Sequence, residues 1–245
     1  VTKFVNALSA ASEVGGPAAS AHLLGYPDHY TSHIFKTFYW KGYVRRLLGT
    51  ASPDVPCTFT NIVGFDDKPA SDQRIVLGTA ASKVVAVSKA DDYVYRPREF
   101  MSMCLWDYLR SVDIVPLPKR KRADALDPSD DHETRPGPLV RRLLPDHPRS
   151  TTHGGLRREK KPLWTLTFCG GVLPRPDRGD FEEYCCVMLA LFYPTGWRRA
   201  EDILGGSSSW AKVFESTSFK DEHRQIMKHM NLLYECRDAR DDYSA

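Results

Sequence analysis

Tyr26, His29, Tyr30 and His33 fall within the single stretch Leu23–His33, beside Gly25 and Pro27. Rings grouped this tightly can ligate a metal, supply a tyrosine nucleophile to a DNA phosphate, or stack on unpaired bases. Each chemistry needs more than the rings. His29 and His33 are four apart and would share one helix face. The residues between them are Tyr30, Thr31 and Ser32, whereas a zinc protease needs a Glu there as its base. His147 and His153 stand near Cys169 and Cys185 with a spacing that fits no zinc pattern. A rolling-circle nuclease needs a His-x-His pair to hold its cation, and none occurs among the eight histidines. Tyr26 with Tyr30, and Tyr39 with Tyr43, are therefore read as buried or stacking rings. The phosphate loop GxxxxGK followed by Ser or Thr is also missing: Gly205-Gly206-Ser207 and Gly170-Gly171 both lack the lysine. There is no GxSxG, and Cys185 and Cys186 sit in an apolar run that reads as inert core thiols. No catalytic residue, no metal and no cofactor is expected in this segment, and it is not expected to be an enzyme by itself.

Nucleic-acid contact is the chemistry that the residue pattern does favour. Lys36, Lys41, Arg45 and Arg46 interleave with Phe35, Phe38, Tyr39, Trp40 and Tyr43. Cations neutralise phosphates, and aromatic faces stack on single-stranded bases. A second basic stretch runs from Arg135 to Lys161, with eight Lys or Arg against only Asp146 and Glu159. It is the strongest electrostatic signal in the chain. The expected contacts to single-stranded DNA are Lys36, Trp40, Lys41, Arg45, Arg46, Arg141, Arg142, Arg157, Arg158, Lys160 and Lys161. The competing reading puts the aromatics in the core and leaves the basic runs solvated. Lys119-Arg120-Lys121-Arg122 also suits a nuclear-localisation patch, and a nuclear protein is expected.

The elements that must position these residues follow from periodicity. Val1, Phe4, Val5 and Leu8 keep a helical period over Val1–Ala11, and Pro17–Leu24 reads as a second helix. A helical period present at the first residue is read as a segment of a longer polypeptide. Ile34–Leu48 is expected to be an extended piece followed by a helix, and residues 49–72 mostly loop. Arg74–Leu77 and Lys83–Val87 suggest a β-hairpin, and Phe100, Met101, Cys104, Leu105, Tyr108 and Leu109 suggest a helix from about Arg98 to Val112. Residues 116–137 combine proline, glycine and charge with few large apolar groups, as expected of a flexible or disordered linker. Beyond it, Trp164, Leu166 and Phe168 alternate as a strand, Asp180–Phe192 reads as a buried helix, and Trp210–Phe214 as a short one. Ser218–Asp221 resembles a capping box ahead of a helix carrying Ile226, Met227, Met230 and Leu233, with a charged tail from Glu235 to Asp242.

The expected fold is α+β, mostly helical with a short hairpin and few strands. Residues 1–115 form one region, 116–137 the charged linker and 138–245 an α+β region. With 245 residues, 42% hydrophobic content and a net charge of +3, the chain can bury a core but does not announce nucleic-acid binding by charge alone. Its six cysteines contain no CxxC and read as reduced thiols of an intracellular protein. No apolar run approaches the ~18–20 residues of a membrane span, so no membrane partner is expected.

Several ordered blocks carry a resemblance. They are Phe4–Leu8 with Glu13–Pro17, Leu23–His33 with Tyr39-Trp40, Asp91–Pro97, Met103–Asp107, Leu144–Pro148, Leu173–Asp177 and Asn231–Tyr243. Together they resemble fungal Helitron-type transposon proteins, which join an HUH rolling-circle endonuclease to a Pif-type DNA helicase. The resemblance implies that this chain is the region between the two. It implies the flanking nuclease and helicase domains as partners, and carries over none of the family's catalytic residues, because none of their motifs lies here. It also leaves open a structural or protein-interaction module, or a degenerate transposon remnant, with no DNA binding.

Overall fold

Alternation of burial from Ile34 gives way to helical spacing at Trp40, and the chain changes from strand to helix at that residue. In the computed structural model β1 is Ile34–Tyr39 and α1 is Trp40–Leu48. On β1, Phe38 is buried and Lys36 half-buried, while the alternate residues Phe35 and Thr37 are exposed. On α1, Trp40, Tyr43, Val44, Leu47 and Leu48 are buried, the i, i+3, i+4, i+7, i+8 stripe of a core-facing helix. Arg45 and Arg46 are left at its outer edge.

The structure describes residues 31–50, 76–80, 83–118, 139–159 and 161–242, together with Ser20 and Leu23–Gly25. The chain divides into two units, Val1–Ile34 and Phe35–Ala245. The expected helices at Val1–Ala11 and Pro17–Leu24, the rings Tyr26, His29 and Tyr30, most of loop 49–72, the Lys119–Arg122 run and Lys160 lie wholly or largely outside the described residues.

The fold of the second unit is mixed α+β. A hairpin pairs β2 (Val76–Ala80) with β3 (Lys83–Val87) antiparallel. A six-residue helix, α2 (Lys89–Val94), starts on the Ser88 hydroxyl, which accepts the Ala90 N–H. After a 3₁₀ turn at Arg98–Phe100 come α3 (Leu105–Ser111) and β4 (Val112–Pro116). β5 (Val140–Arg142) and β6 (His153–Arg157) follow, in a three-stranded sheet of order β4-β6-β5, antiparallel throughout. β7 (Trp164–Cys169) pairs with β1. The remaining helices are α4 (Phe181–Phe192), α5 (Ala200–Leu204), α6 (Trp210–Ser216) and α7 (Asp221–Asp242). No described helix is long and apolar enough to cross a membrane.

The core forms around α4, in which every residue from Glu183 to Phe192 is buried. Cys185 and Cys186 lie inside it, and burial pushes the Cys185 thiol up to about 12. Trp40, Trp197 and Trp210 are fully buried around this helix. The sheet β4-β6-β5 draws strands from both sides of the expected 116–137 linker, so the chain on either side of that stretch shares one sheet.

The expected continuous helix from Arg98 to Val112 is not formed, and Arg96 supplies the reason. Its Nε donates to Phe100 O at 2.9 Å and its Nη2 to Met101 O at 2.6 Å. Those carbonyls would accept residues 104 and 105 in an uninterrupted helix. The chain instead turns, Cys104 adopts an extended conformation as the cap of α3, and β-branched Val112, Ile114 and Val115 continue as a strand. The charged tail expected after Glu235 is helical to Asp242.

Candidate functional site

Lys36, Arg45 and Arg46 meet in one cleft of about 900 Å³. Its walls come from β1, α1, the start of α2, the end of α3, β4 and β7. The pleat turns Lys36 to the Phe38 side of β1, and the Arg45–Arg46 pair emerges from the outer edge of α1. Lys89 and Arg149 add cations, and Asp91, Asp92 and Asp113 add carboxylates. Trp164 and Tyr39 contribute aromatic wall.

The cleft is not uniformly positive. Arg46 Nε donates to Asp91 at 3.0 Å. Arg149 Nη2 donates to Asp92 at 2.7 Å. Lys36 Nζ donates to Leu109 O at 3.1 Å and lies 6.0 Å from the Trp164 ring centre. Burial lowers the Lys36 pKa from its ordinary 10.5, with Asp113 opposing the shift. Trp164 Nε1 donates to Asp113 at 2.8 Å.

The other expected contacts divide sharply. Trp40 is overturned as a stacking residue: it is 0% exposed and its Nε1 donates to Gly171 O at 3.3 Å. An indole sealed in the core offers no face to a base. Lys41 Nζ lies 5.8 Å from the centre of that indole, so its stem covers the tryptophan. Phe38 and Tyr43 are likewise core residues, their rings 5.3 Å apart.

Nor do the described residues of the basic stretch 135–161 form a continuous phosphate-binding face. Arg141 pairs with Glu99 at 3.0 Å, and Arg149 with Asp92. Arg158 pairs with Asp113, its guanidinium 4.4 Å from the Trp164 ring centre and its side chain only 8% exposed. Its use as a solvent-facing contact is therefore overturned as well. These arginines tie the second half of the sequence to acids of the first. Arg142 lies on β5, Arg157 and Lys161 are exposed, and none of the three lines the cleft.

A second polar cluster was not legible in the sequence. Cys104, Asp107 and His223 meet where α3 starts against α7. His223 Nε2 lies 3.1 Å from Asp107 Oδ1 and 4.0 Å from Cys104 Sγ. Lys220 Nζ donates to Asp107 Oδ2 at 2.9 Å. Burial would raise the Asp107 pKa, but hydrogen bonds from His223 and Lys220 outweigh it and hold the carboxyl well below its ordinary range. Burial also pushes the Cys104 thiol up to about 12. The trio has the residue types of a nucleophile, base and orienting acid, but not the geometry. A relay needs one imidazole nitrogen on the nucleophile and the other on the acid. Here Nε2 faces both groups. The signal for the trio was a Cys-x-x-Asp at a helix start; nothing local tied it to His223.

Among the described residues, three pairs of separate segments are tied together. Leu144 N donates to Tyr95 O at 2.9 Å, and the His147 ring packs edge-on against Tyr95 at 6.0 Å. The Tyr93 hydroxyl donates to Met103 O at 3.0 Å. Arg175 pairs with Asp238 at 2.7 Å, and Leu173 N donates to the Tyr234 hydroxyl at 3.1 Å. Compared with protein families, curated proteins and solved structures, the chain matches none.

Proposed function

We propose that this chain is the non-catalytic connecting region of a Helitron-like transposon replicase and DNA helicase, and that its cleft holds single-stranded DNA. The observation that carries the DNA contact is the gathering of Lys36, Arg45 and Arg46 with Lys89 and Arg149 around one open cleft. Phosphates would run along these cations, and the carboxylates beside them limit how tightly a polyanion binds. Affinity then rests on few contacts and falls with salt, by about 0.7 in log–log slope per phosphate contact for a single strand. The same region spaces the nuclease and helicase domains of the parent polypeptide. Support for the parentage is the ordered set of resembling blocks, several of which pack on one another as structural ties.

Fluorescence anisotropy with labelled single-stranded DNA over a salt series tests the contact. Salt-sensitive binding that weakens in Lys36→Ala and Arg45→Ala is the expected result. Binding without salt dependence, or no binding at all, overturns it. A second reading, a structural or protein-interaction module, is favoured by the burial of Trp40 and the pairing of Arg141, Arg149 and Arg158 with acids.

A further inference from the structure

Three donor atoms of different chemistry converge at the foot of α7. Cys104 Sγ, Asp107 Oδ1 and His223 Nε2 come within 4.8 Å of one another. Cys104 is 2% and His223 1% exposed, so neither donor is there to meet solvent. The His223 ring packs on Phe192, with ring centres 5.2 Å apart, and its Nδ1 is buried with no hydrogen-bond partner. An ordinary buried histidine uses both nitrogens. This one is held through Nε2 alone, and that nitrogen points at a carboxylate and a sulfur together.

We propose that Cys104, Asp107 and His223 bind one divalent transition-metal ion of the zinc class. Thiolate, imidazole and carboxylate are the donor set that zinc accepts, and a thiolate excludes magnesium and calcium as the favoured ion. Tetrahedral zinc places such donors about 3.3–3.6 Å apart. The 3.1 and 4.0 Å separations from His223 bracket that range, and all three donors lie within 4.8 Å of one another, so the side chains close on an ion by drawing inward. One thiolate and one carboxylate offset the two charges of the ion, and the Lys220 ammonium beside the carboxylate stays at the exposed edge. On binding, the Cys104 sulfur gives its proton to solvent and its electron pair to the metal. His223 ligates through an Nε2 that carries no proton. Asp107 binds through Oδ1 while Lys220 stays on Oδ2, the outer-shell support that ligating carboxylates use. Asp107 retains 25% side-chain exposure, which gives the ion its way in and leaves the fourth position to water.

Cobalt(II) is the probe. Added to the full chain, it is expected to give a thiolate-to-cobalt charge-transfer band that saturates at one equivalent. Cys104→Ser should abolish the band, and His223→Gln should weaken binding by more than ~10-fold. Cys236→Ser, which removes an exposed thiol, should leave it unchanged. No band, a band kept in Cys104→Ser, or a band lost in Cys236→Ser overturns the site. If Cys104→Ser does not fold, X-ray absorption on the zinc-loaded Cys236→Ser chain decides the matter. One sulfur among four scatterers supports the site, and an all-nitrogen-and-oxygen shell or several sulfurs overturns it.

Discussion

The cation at Arg96 and the cations of the cleft are the same chemistry put to opposite use. Arg96 is 1% exposed and donates to the carbonyls of Tyr93, Phe100, Met101 and Trp197, with its guanidinium 4.0 Å from the Tyr93 ring centre. These four bonds all go to carbonyls, so every one of them organises backbone. Lys36, Arg45 and Arg46 sit at the edge of an open cleft, with part of each side chain exposed. The difference shows that basic residues do not reveal their role by type or by local density. What decides is where the fold leaves the cation: Arg96 is sealed among four carbonyls, whereas Lys36 and Arg46, although bonded to Leu109 O and Asp91, still border an open space.

Arg96→Met breaks the first region most severely. It removes the donor shared by four carbonyls, of which Tyr93 O and Phe100 O keep a backbone N–H partner, from Arg96 and Met103, and a loss of ~3 kcal/mol is expected, read from the midpoint of urea unfolding. Lys36→Met should cost far less, and a comparable loss there would end the contrast. Gly196→Ala tests the same knot from its other side. Gly196 has φ +67°, and an added Cβ would lie 2.6 Å from Arg96 Nη2, as well as against the backbone at Met103 O. A loss of ~2–4 kcal/mol is expected, because the carbonyl cannot move aside.

The cleft is tested by binding. Arg45→Ala with Lys36→Ala should reduce the salt slope for single-stranded DNA by about 0.7 for each phosphate contact removed. Arg141→Ala, outside the cleft and paired with Glu99, should leave the slope unchanged. Equal effects from all three positions would dissolve the distinction between cleft and surface. The smallest expected effect is a titration. Burial depresses the Lys36 pKa below 10.5, so between the folded value and 10.5 the unfolded chain binds more protons. Stability contributed by this position therefore rises with pH through that window. Burial raises the pKa of Tyr43, Tyr93 and Tyr108 and so lowers stability at alkaline pH in both proteins; the expected sign is a wild-type minus Lys36→Met stability difference that grows with pH in urea denaturation.

Much of the fold was legible because its signals were local and long enough. The strand-to-helix change at Trp40, the alternation at Trp164–Phe168 and the apolar run of α4 appear where their periodicity placed them. The short helix at Trp210 and the strand Lys83–Val87 also appear where they were expected, but other short elements were not legible. α2 is six residues of mostly polar sequence, and β6 contains Gly154-Gly155, which carry no strand propensity. Gly154 is there because a Cβ would come within 2.3 Å of Arg141 O on β5. That requirement is invisible until the strands are paired.

The candidate sites divide the same way. Lys36, Arg45 and Arg46 could be singled out because they lie close together among aromatics. Trp40 was grouped with them by the same logic, although its place at the head of the core stripe of α1 sends it inward. Arg149 joins the cleft from a hundred residues away, and Arg158 reaches Asp113 beside it.

From sequence alone came the mixed α+β class, the principal helices and strands, and the neighbourhood of Lys36–Arg46. Periodicity and charge spacing are properties of adjacent residues, so no folding is needed to read them. Tertiary structure decided which cations would be sealed away or paired elsewhere and which would line a cleft, some of them paired there with a carbonyl or carboxylate. It alone brought His223 to Cys104 and Asp107. Those outcomes depend on which backbone and side-chain groups arrive opposite one another, and the groups come from segments too far apart for any local pattern to connect them.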